Sequence, residues 1–176
     1  MIAIHQILVP TDFSEPAGAA LRYARALAEE FGSHLHIFHV VPEPFVYPWG
    51  TEISTLPLAD LLAQSQAVSN TRLAELIPKE QAPAGGLTTS TAIGTPMDRI
   101  LSYINDTHID LVVMGTHGRG PVGHLLLGSV AERIVRHSPV PVLTVKETPV
   151  RLTSTSPAAS LLVDAGGRPG YECRER

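Results

Sequence analysis

The chain has 176 residues, of which 44% are hydrophobic and 17% are charged, and its formal net charge at pH 7 is −4. This length can bury one sizeable core, and an acidic balance without a Lys/Arg run disfavours nucleic acid and anionic membrane surfaces as partners. Cys173 is the only cysteine, which excludes a disulfide framework, and no uninterrupted apolar run approaches the roughly 18 residues of a membrane span. Because the amino-terminal residues also lack a signal-peptide pattern, we expect a cytoplasmic protein without membrane insertion.

The amino-terminal segment predicts a strand, a turn and a helix. Residues 4–10 form a short apolar run that ends at a proline, which is typical of a buried strand. Apolar residues then recur at helical spacing over 17–31, with Ser14 as the predicted N-cap, Pro16 in the first turn and Gly32 as the stop.

Strands and helices continue to alternate as far as residue 146. The further predicted elements are, in chain order, a strand at His34–Val41, a helix at 58–77, a strand at Leu87–Ile93, a helix capped by Thr95, a strand at 110–114, a helix opened by Ser129 and a strand at 140–145. Continuous apolar strands indicate burial on both faces. We therefore predict an α/β fold with an open, parallel, five-stranded, Rossmann-like sheet and helices on both of its faces.

Two segments depart from this alternation. Residues 147–176 have no sustained period and are rich in Ser, Thr, Pro and Gly, so we separate a domain at 1–146 from a tail that is flexible or bound to a partner. The connection at 42–57 is long for a segment without secondary structure. It carries three aromatic residues at alternate positions, Phe45, Tyr47 and Trp49. These rings either cover a ligand, form a patch for a partner or pack on the neighbouring helix.

A glycine-rich stretch at 115–129 follows the fourth predicted strand and contains five glycines. Glycine is entropically costly unless the chain needs an unusual backbone conformation or a close approach to the main chain. In an open α/β sheet, ligands lie beyond the carboxyl ends of the strands, and a helix N-terminus adds free N–H groups that suit phosphate. We therefore predict that these glycines let backbone N–H groups reach phosphate oxygens.

Three phosphate-binding patterns compete for this stretch. A G-x-G-x-x-G pattern begins at Gly118, but the helix opens too late, and too little chain follows, for a dinucleotide site. A Walker-like spacing begins at Gly123, but Ser129 stands where the P-loop lysine belongs, so a P-loop ATPase is disfavoured. The third pattern is Gly115-x2-Gly118-x9-Gly128-Ser129.

This third pattern resembles the nucleotide-binding signature of the universal stress protein family. The resemblance extends over about residues 3–146 and depends on several segments at once: ILVPTDFSE, HVV, GTP, DLVVMGTHGRG and GSVAERIVRHSPVPVLTV. It implies a protein that binds ATP, with Mg²⁺ accompanying the nucleotide, and that acts as a homodimeric regulator in the stress response.

The resemblance also implies the position of the nucleotide. Asp12 would lie beside the ribose and phosphates, near the nucleotide-bound Mg²⁺, and Val40 would contact adenine through its backbone. The sugar and phosphates would be surrounded by Gly115, Gly118, Gly128, Ser129 and Val130. Adjoining positions complete the predicted site: Pro10, Thr11, Met114, His117, Arg119 and Gly120.

Some of these residues also have a purely structural interpretation. Asp12 would tighten the turn after the first strand, and Ser129 would cap its helix by itself or while contacting phosphate. Arg119 either stays solvated or meets the phosphates. No metal site built from protein side chains alone is predicted.

The histidines are interpreted as structural residues. His34, His36 and His39 are taken to share one face of a strand, where satisfied structural histidines are commoner than metal ligands. His117 and His124 lack an Asp, Glu or Cys partner at ligand spacing, so we assign them no catalytic or metal-binding role.

Three classes of function remain open. The favoured one is a nucleotide-binding regulatory protein that signals to an unknown protein partner. The second is a slow ATPase, which needs a base and a cation at the phosphates, and only Asp12 and Arg119 are candidates. The third is a member of the same family that acts through protein contacts alone.

The last predicted strand is also a predicted dimer surface. It ends the domain, so we expect it at a sheet edge, and a bare apolar edge invites pairing with a second copy. Pro139 and Pro141 would keep the contact short. The residues expected at this interface are Val140, Val142, Leu143 and Val145.

Overall fold

The computed structural model describes residues 3–43, 58–78, 81–116 and 127–146. Strands and helices alternate along these ranges. They are β1 (Gln6–Pro10), α1 (Glu15–Phe31), β2 (His34–Val41), α2 (Leu58–Leu76), β3 (Leu87–Ile93), α3 (Pro96–Asp106), β4 (Leu111–Gly115), α4 (Ser129–His137) and β5 (Val142–Val145). No helix in these ranges is both long enough and apolar enough to span a membrane.

The five strands form one parallel sheet in the order β3-β2-β1-β4-β5. The chain leaves β1 toward β2 and β3 on one side and later returns to β4 and β5 on the other. The order therefore reverses between β1 and β4, which is where open α/β sheets bind ligands at the carboxyl ends of their strands. The predicted fold class is confirmed.

Two cores cover the two faces of the sheet. Successive strand residues point to opposite faces, so Ile7 packs with α1 and α2 while its neighbour Leu8 packs with α3 and α4. In the first core the strands meet a row of small residues on α1, including Ala20 and Ala24, which lets that helix approach closely. Burial on both faces explains the apolar runs of the central strands β1 and β4.

The ends of α1 follow the predicted caps. The Ser14 hydroxyl accepts a hydrogen bond from the Ala17 N–H, and Pro16 occupies the first turn. Gly32 ends the helix in the left-handed region at φ 66°, where glycine has no steric penalty.

The first and last strands are shorter than predicted because other groups take their backbone bonds. The predicted run begins at residue 4, but the Asp110 carboxylate accepts from the N–H groups of His5 and Gln6 at 2.7 and 2.9 Å. The last run begins at 142 rather than 140 because the Ser138 hydroxyl bonds both the N–H and the carbonyl of Val140.

Several predicted features fall outside the described residues. They are the aromatic residues Phe45, Tyr47 and Trp49, the site residues His117, Gly118, Arg119 and Gly120, His124, and the tail at 147–176.

Candidate functional site

The carboxyl edge of the sheet brings together three of the predicted site segments at the point where the strand order reverses. The turn after β1 carries Thr11 and Asp12, β4 ends at Gly115, and α4 begins at Ser129. The Thr116 carbonyl accepts from the Gly128 N–H at 2.6 Å, which places the start of α4 against the end of β4. Parallel pairing of β1 with β4 sets the Asp12 turn beside this junction.

Side-chain oxygens hold the turn between β1 and α1. The Thr11 hydroxyl accepts from the Phe13 N–H at 3.0 Å, and Asp12 Oδ1 accepts from the Ser14 N–H at 3.0 Å. Asp12 therefore has the turn-tightening role that the sequence suggested as its structural interpretation. This hydrogen bond also fixes the direction of its carboxylate.

Gly115, at the end of β4, allows the strand to pack closely against the first turn of α1. A Cβ at this position would lie 2.7 Å from the carbonyl carbon of Pro16 and 2.8 Å from its oxygen. Any side chain would push β4 away from the first turn of α1. The close fit of strand and helix therefore explains this glycine without a ligand.

The start of α4 corrects the predicted cap. Gly128, not Ser129, is the N-cap, with φ −70° and ψ 158°, and Ser129 is the first helical residue. The reason is that the Gly128 carbonyl already accepts from the Glu132 N–H at 2.9 Å, which moves the helix start back by one position. Because Gly128 has no side chain, it cannot itself cap the first N–H groups of α4. Thr95 is the N-cap of α3 as predicted, but its hydroxyl makes no cap hydrogen bond.

Val40 and Met114 contribute their side chains to the core and not to the edge. Both are buried in the core between the sheet and α3 with α4, and Val130 packs partly against the same core. Pro10 and Thr11 are also buried. The side chains of Val40 and Met114 are therefore part of the core, and the backbone contact expected for Val40 stays a prediction.

His34 and His36 form a structural pair on one face of β2. Their ring centroids are 4.7 Å apart, and the His36 ring bonds the Tyr103 hydroxyl at 3.0 Å and Gln6 Oε1 at 2.7 Å. Burial, and then the neighbouring His34, lower the pKa of His36 below its ordinary value. Within the described ranges, no group of three His, Cys, Asp or Glu side chains is placed to hold a metal ion.

His39 lies on the opposite face of β2, which corrects the expectation that the three histidines share one side. An odd separation along a strand reverses the side-chain direction. His39 Nδ1 donates to the Thr11 carbonyl at 2.7 Å, and its ring packs on Phe13 at a centroid distance of 4.5 Å. The histidine therefore belongs to the surroundings of the Asp12 turn.

Sequence reasoning missed three residues, one at the junction of β4 with α4 and two at the Asp12 turn. Thr116, buried directly after β4, joins that strand to α4 through its carbonyl and to β5 through its N–H, which donates to the Val145 carbonyl at 3.0 Å. Phe13 and Arg72 meet on the other side of the turn, where the guanidinium carbon lies 4.1 Å from the ring centroid. Only Thr116 had a sequence signal, namely its place immediately after a strand.

The predicted dimer strand lies at an edge of the sheet formed by the described strands. Its four predicted interface residues differ in exposure. Val145 is buried, Val140 and Val142 pack partly against the core, and Leu143 is 39% exposed. Leu143 is therefore the member of this set best placed to meet a second molecule.

The chain matches known proteins along most of its length. The family model described as "Universal stress protein family" matches residues 3–146. Universal stress protein MJ0531 of Methanocaldococcus jannaschii is 32% identical over 145 residues, which are 81% of this chain and 82% of that protein. MJ0577 of the same organism is 30% identical over 152 residues, covering 80% and 94% of the two chains.

Solved structures agree with this match. The structure of MJ0577 superposes with a TM-score of 0.70 at 25% identity, over 85% of this chain and all of that one. A universal stress protein crystallised in complex with cAMP shares the fold, with a TM-score of 0.55 at 22% identity over 84% of this chain and all of the other. The family match and the shared fold confirm the resemblance seen in the sequence, and the chain belongs to the universal stress protein family.

Proposed function

We propose that the chain binds an adenine nucleotide, ATP with Mg²⁺, at the carboxyl edge of the sheet between β1 and β4. The observation that carries this proposal is the junction of Thr116 with Gly128. It sets the start of α4, where the N-cap Gly128 has no capping side chain, at the point where the strand order of the parallel sheet reverses. Free N–H groups and the positive end of a helix dipole are the groups that bind phosphate.

The turn after β1 supplies the other side of this site. Asp12 is held in a defined direction by the Ser14 N–H, and β2 ends beside it with the backbone of Val40 at the same edge. In the proposed complex the phosphates lie at α4, the ribose lies near Asp12 and the adenine lies near β2. The relative crystallised with cAMP supports the proposal, since it shows that this fold can hold an adenine nucleotide.

In the proposed role, nucleotide binding regulates the stress response. The chain pairs with a second copy of itself at β5 and signals to a further protein. Turnover is not part of the proposal, because hydrolysis requires a positioned base and a cation at the transferred phosphate. The Asp12 carboxylate already accepts from the turn, and the candidate cation, Arg119, lies outside the described residues. A cytoplasmic location remains an expectation from the sequence.

A binding measurement with paired glycine variants tests this proposal. We expect Mg-ATP to bind the wild-type protein, and Gly128→Ala to weaken binding by about tenfold, or about 1.4 kcal/mol, because a methyl group would occupy the space of a phosphate oxygen. The matched control is Gly18→Ala, where the added Cβ comes no closer than 3.8 Å to its nearest neighbour, the Arg22 side chain. Isothermal titration calorimetry with ATP, ADP, AMP and cAMP also gives the nucleotide preference. Equal ATP affinity in all three proteins would contradict the site.

Phosphate release separates binding from turnover. The purified protein is incubated with Mg-ATP, and inorganic phosphate is followed over many protein equivalents. We expect release far slower than about 1 per second, which is an ordinary enzyme rate. Sustained release at or above that rate would make the chain an ATPase.

A further inference from the structure

Three side chains from separate elements meet at the Asp12 turn. Phe13 lies in the turn itself, His39 lies on β2 and Arg72 lies on α2. The rings of Phe13 and His39 are 4.5 Å apart at an interplanar angle of 46°, and the Arg72 guanidinium carbon lies 4.1 Å from the centroid of the Phe13 ring. We call these three residues the Phe13 cluster.

The backbone of Phe13 makes the cluster more than ordinary packing. Its φ is 62°, in the left-handed region that a bulky side chain rarely adopts. Such a conformation persists only when surrounding contacts hold it. The first core and the cluster supply those contacts, since the Phe13 ring packs against that core, Arg72 lies over the ring and His39 packs against it.

His39 also holds the backbone one step earlier in the turn. Its Nδ1 donates to the Thr11 carbonyl at 2.7 Å, while the Thr11 N–H donates to the Phe38 carbonyl at 2.8 Å. Both polar groups of the Thr11 backbone are thus bonded to β2. Thr11 and Phe13 flank Asp12, so the residues on either side of the carboxylate are fixed.

The ring of Phe13 has space to leave this position. A cleft of about 240 Å³ opens between α1 and α2, and its lining includes Phe13, Ala17, Leu21, Arg72 and Leu76. Without Arg72 over the ring, the cleft offers Phe13 other rotamers and lets the backbone relax out of the left-handed region. The turn would then lose the single conformation in which it presents Asp12.

We infer that His39 and Arg72 are positioning residues of the nucleotide site: by holding Phe13 in its left-handed conformation, they fix the direction of the Asp12 carboxylate. This inference rests on the proposed function, because a bound nucleotide is what Asp12 would meet. Neither residue needs to touch the nucleotide. Each residue affects nucleotide binding only through the conformation of the turn.

Hydrogen exchange in the ligand-free protein tests the first half of this inference. The amides of Phe13 and Ser14 are bonded to the Thr11 hydroxyl and to Asp12 Oδ1, so their exchange rates report how often the turn opens. We expect Arg72→Met to raise both rates about three- to fivefold, as the loss of an exposed cation–π contact predicts. Exchange at Val112 in the centre of β4 should stay unchanged.

Two substitutions at His39 separate its roles. His39→Phe keeps a ring against Phe13 but removes the donor to the Thr11 carbonyl, and we expect about two- to tenfold faster exchange of the turn amides. His39→Asn places an amide donor where Nδ1 stands and should restore part of the protection.

The matched control for Arg72→Met is Arg25→Met on α1, where the guanidinium pairs with Glu29 at the surface. This variant should leave the exchange rates of the turn amides unaffected.

A double-mutant cycle on ATP affinity tests the second half. Arg72→Met should weaken Mg-ATP binding about three- to fivefold in the wild-type background. In an Asp12→Asn background, where the turn keeps its acceptor but loses the charge, the same change should have little further effect, because Arg72 acts through Asp12. A residue that only stabilises the fold would change the unfolding midpoint without this dependence on Asp12.

Each outcome decides the inference. Unchanged exchange at Phe13 and Ser14 in Arg72→Met, or an equal loss of affinity in both backgrounds, would overturn it. If exchange responded as expected but the wild-type protein bound no adenine nucleotide, the proposed function would fail. The cluster would then stand only as the structure that holds the turn.

Discussion

At the scale of single residues, the carboxyl edge of the sheet depends on the backbone geometry at Gly115 and Phe13. Gly115 faces the backbone of Pro16 so closely that a Cβ would lie within 2.8 Å of two of its atoms. Phe13 is the reverse case, because it carries a large side chain although its backbone has a conformation that suits glycine. Position 115 therefore requires a residue without a side chain, whereas the conformation of Phe13 depends on the contacts that its side chain makes.

The Gly115 contact predicts a specific loss of stability. Gly115→Ala should lower the free energy of unfolding by about 1–3 kcal/mol, because the new methyl group forces strand and helix apart. Urea unfolding followed by circular dichroism measures this change. Gly18→Ala lies inside α1 with ordinary contacts and should be neutral or stabilising by up to about 1 kcal/mol. Equal stability of the two variants would contradict the packing argument.

His36 predicts a pH dependence of stability. Burial and His34 lower its pKa in the folded state, so the unfolded chain binds a proton more readily below the ordinary histidine pKa of about 6.5. The contribution of His36 is therefore fully present above that pH and is lost as the pH falls toward its folded-state pKa.

Unfolding titrations between pH 7.5 and pH 5 check this dependence. The wild-type protein should lose more stability over that range than His36→Gln, which has no titrating ring. His5→Gln, at an exposed position, should keep the wild-type slope. A His36→Gln slope as steep as that of the wild type would contradict the role of His36.

At the scale of elements, the two helices on the first face are packed very differently. α1 buries a row of alanines along its length, including Ala20, Ala24 and Ala28, whereas the 19 residues of α2 bury only Ser69 and Leu73. Leu73 is the buried apolar residue within α2, and Leu76 and Ile77 add contacts with the same core at its carboxyl end.

This difference predicts unequal costs of truncation along α2. Leu73 is 1% exposed, and Leu73→Ala should destabilise the protein by about 2–5 kcal/mol through the cavity that it leaves. Val68 is 55% exposed, and Val68→Ala should change the free energy of unfolding by no more than about 0.5 kcal/mol. Denaturant unfolding of both variants measures the contrast, and similar losses would show that α2 is packed evenly.

α1 was predictable from sequence because its apolar residues recur at helical spacing, and β1, β4 and β5 were predictable because each is a short apolar run. Two strands are shorter than predicted because a side chain takes a backbone bond: Asp110 shortens β1, and Ser138 shortens β5. The strand ends also led to Asp12 and Gly115. The Phe13 cluster was not predictable, because its members are far apart in the chain and nothing in the sequence indicates a left-handed φ at a phenylalanine.

At the scale of the whole molecule, the sheet formed by the described strands has two unlike edges. β3 is rich in threonine and serine, whereas β5 is apolar and short. Leu143 on β5 is 39% exposed, and Val135 on the adjacent α4 is 46% exposed. An apolar edge strand of this kind favours pairing with a second copy about a two-fold axis.

A single substitution that introduces a charge at the interface tests the proposed dimer. Leu143→Lys should convert a dimer at micromolar concentration into monomers, because it places an ammonium group in the apolar contact. Analytical ultracentrifugation measures the mass, and Val68→Lys on the exposed side of α2 should remain dimeric. A wild-type protein that sedimented as a monomer would end the proposal.

The bonds from Asp110 to the start of β1 have a consequence for synthesis on the ribosome. The carboxylate and the His5 N–H are 105 residues apart along the chain, and β1 needs β4 as its second neighbour. Once it has emerged, β1 must therefore wait, with one side unpaired, until the 105 residues that follow His5 up to Asp110 have been translated. Such nonlocal pairing is slow and leaves nascent chains prone to aggregation. Translation pauses before codon 110 should prolong that exposure, and chaperone binding to stalled nascent chains should drop once β4 leaves the exit tunnel.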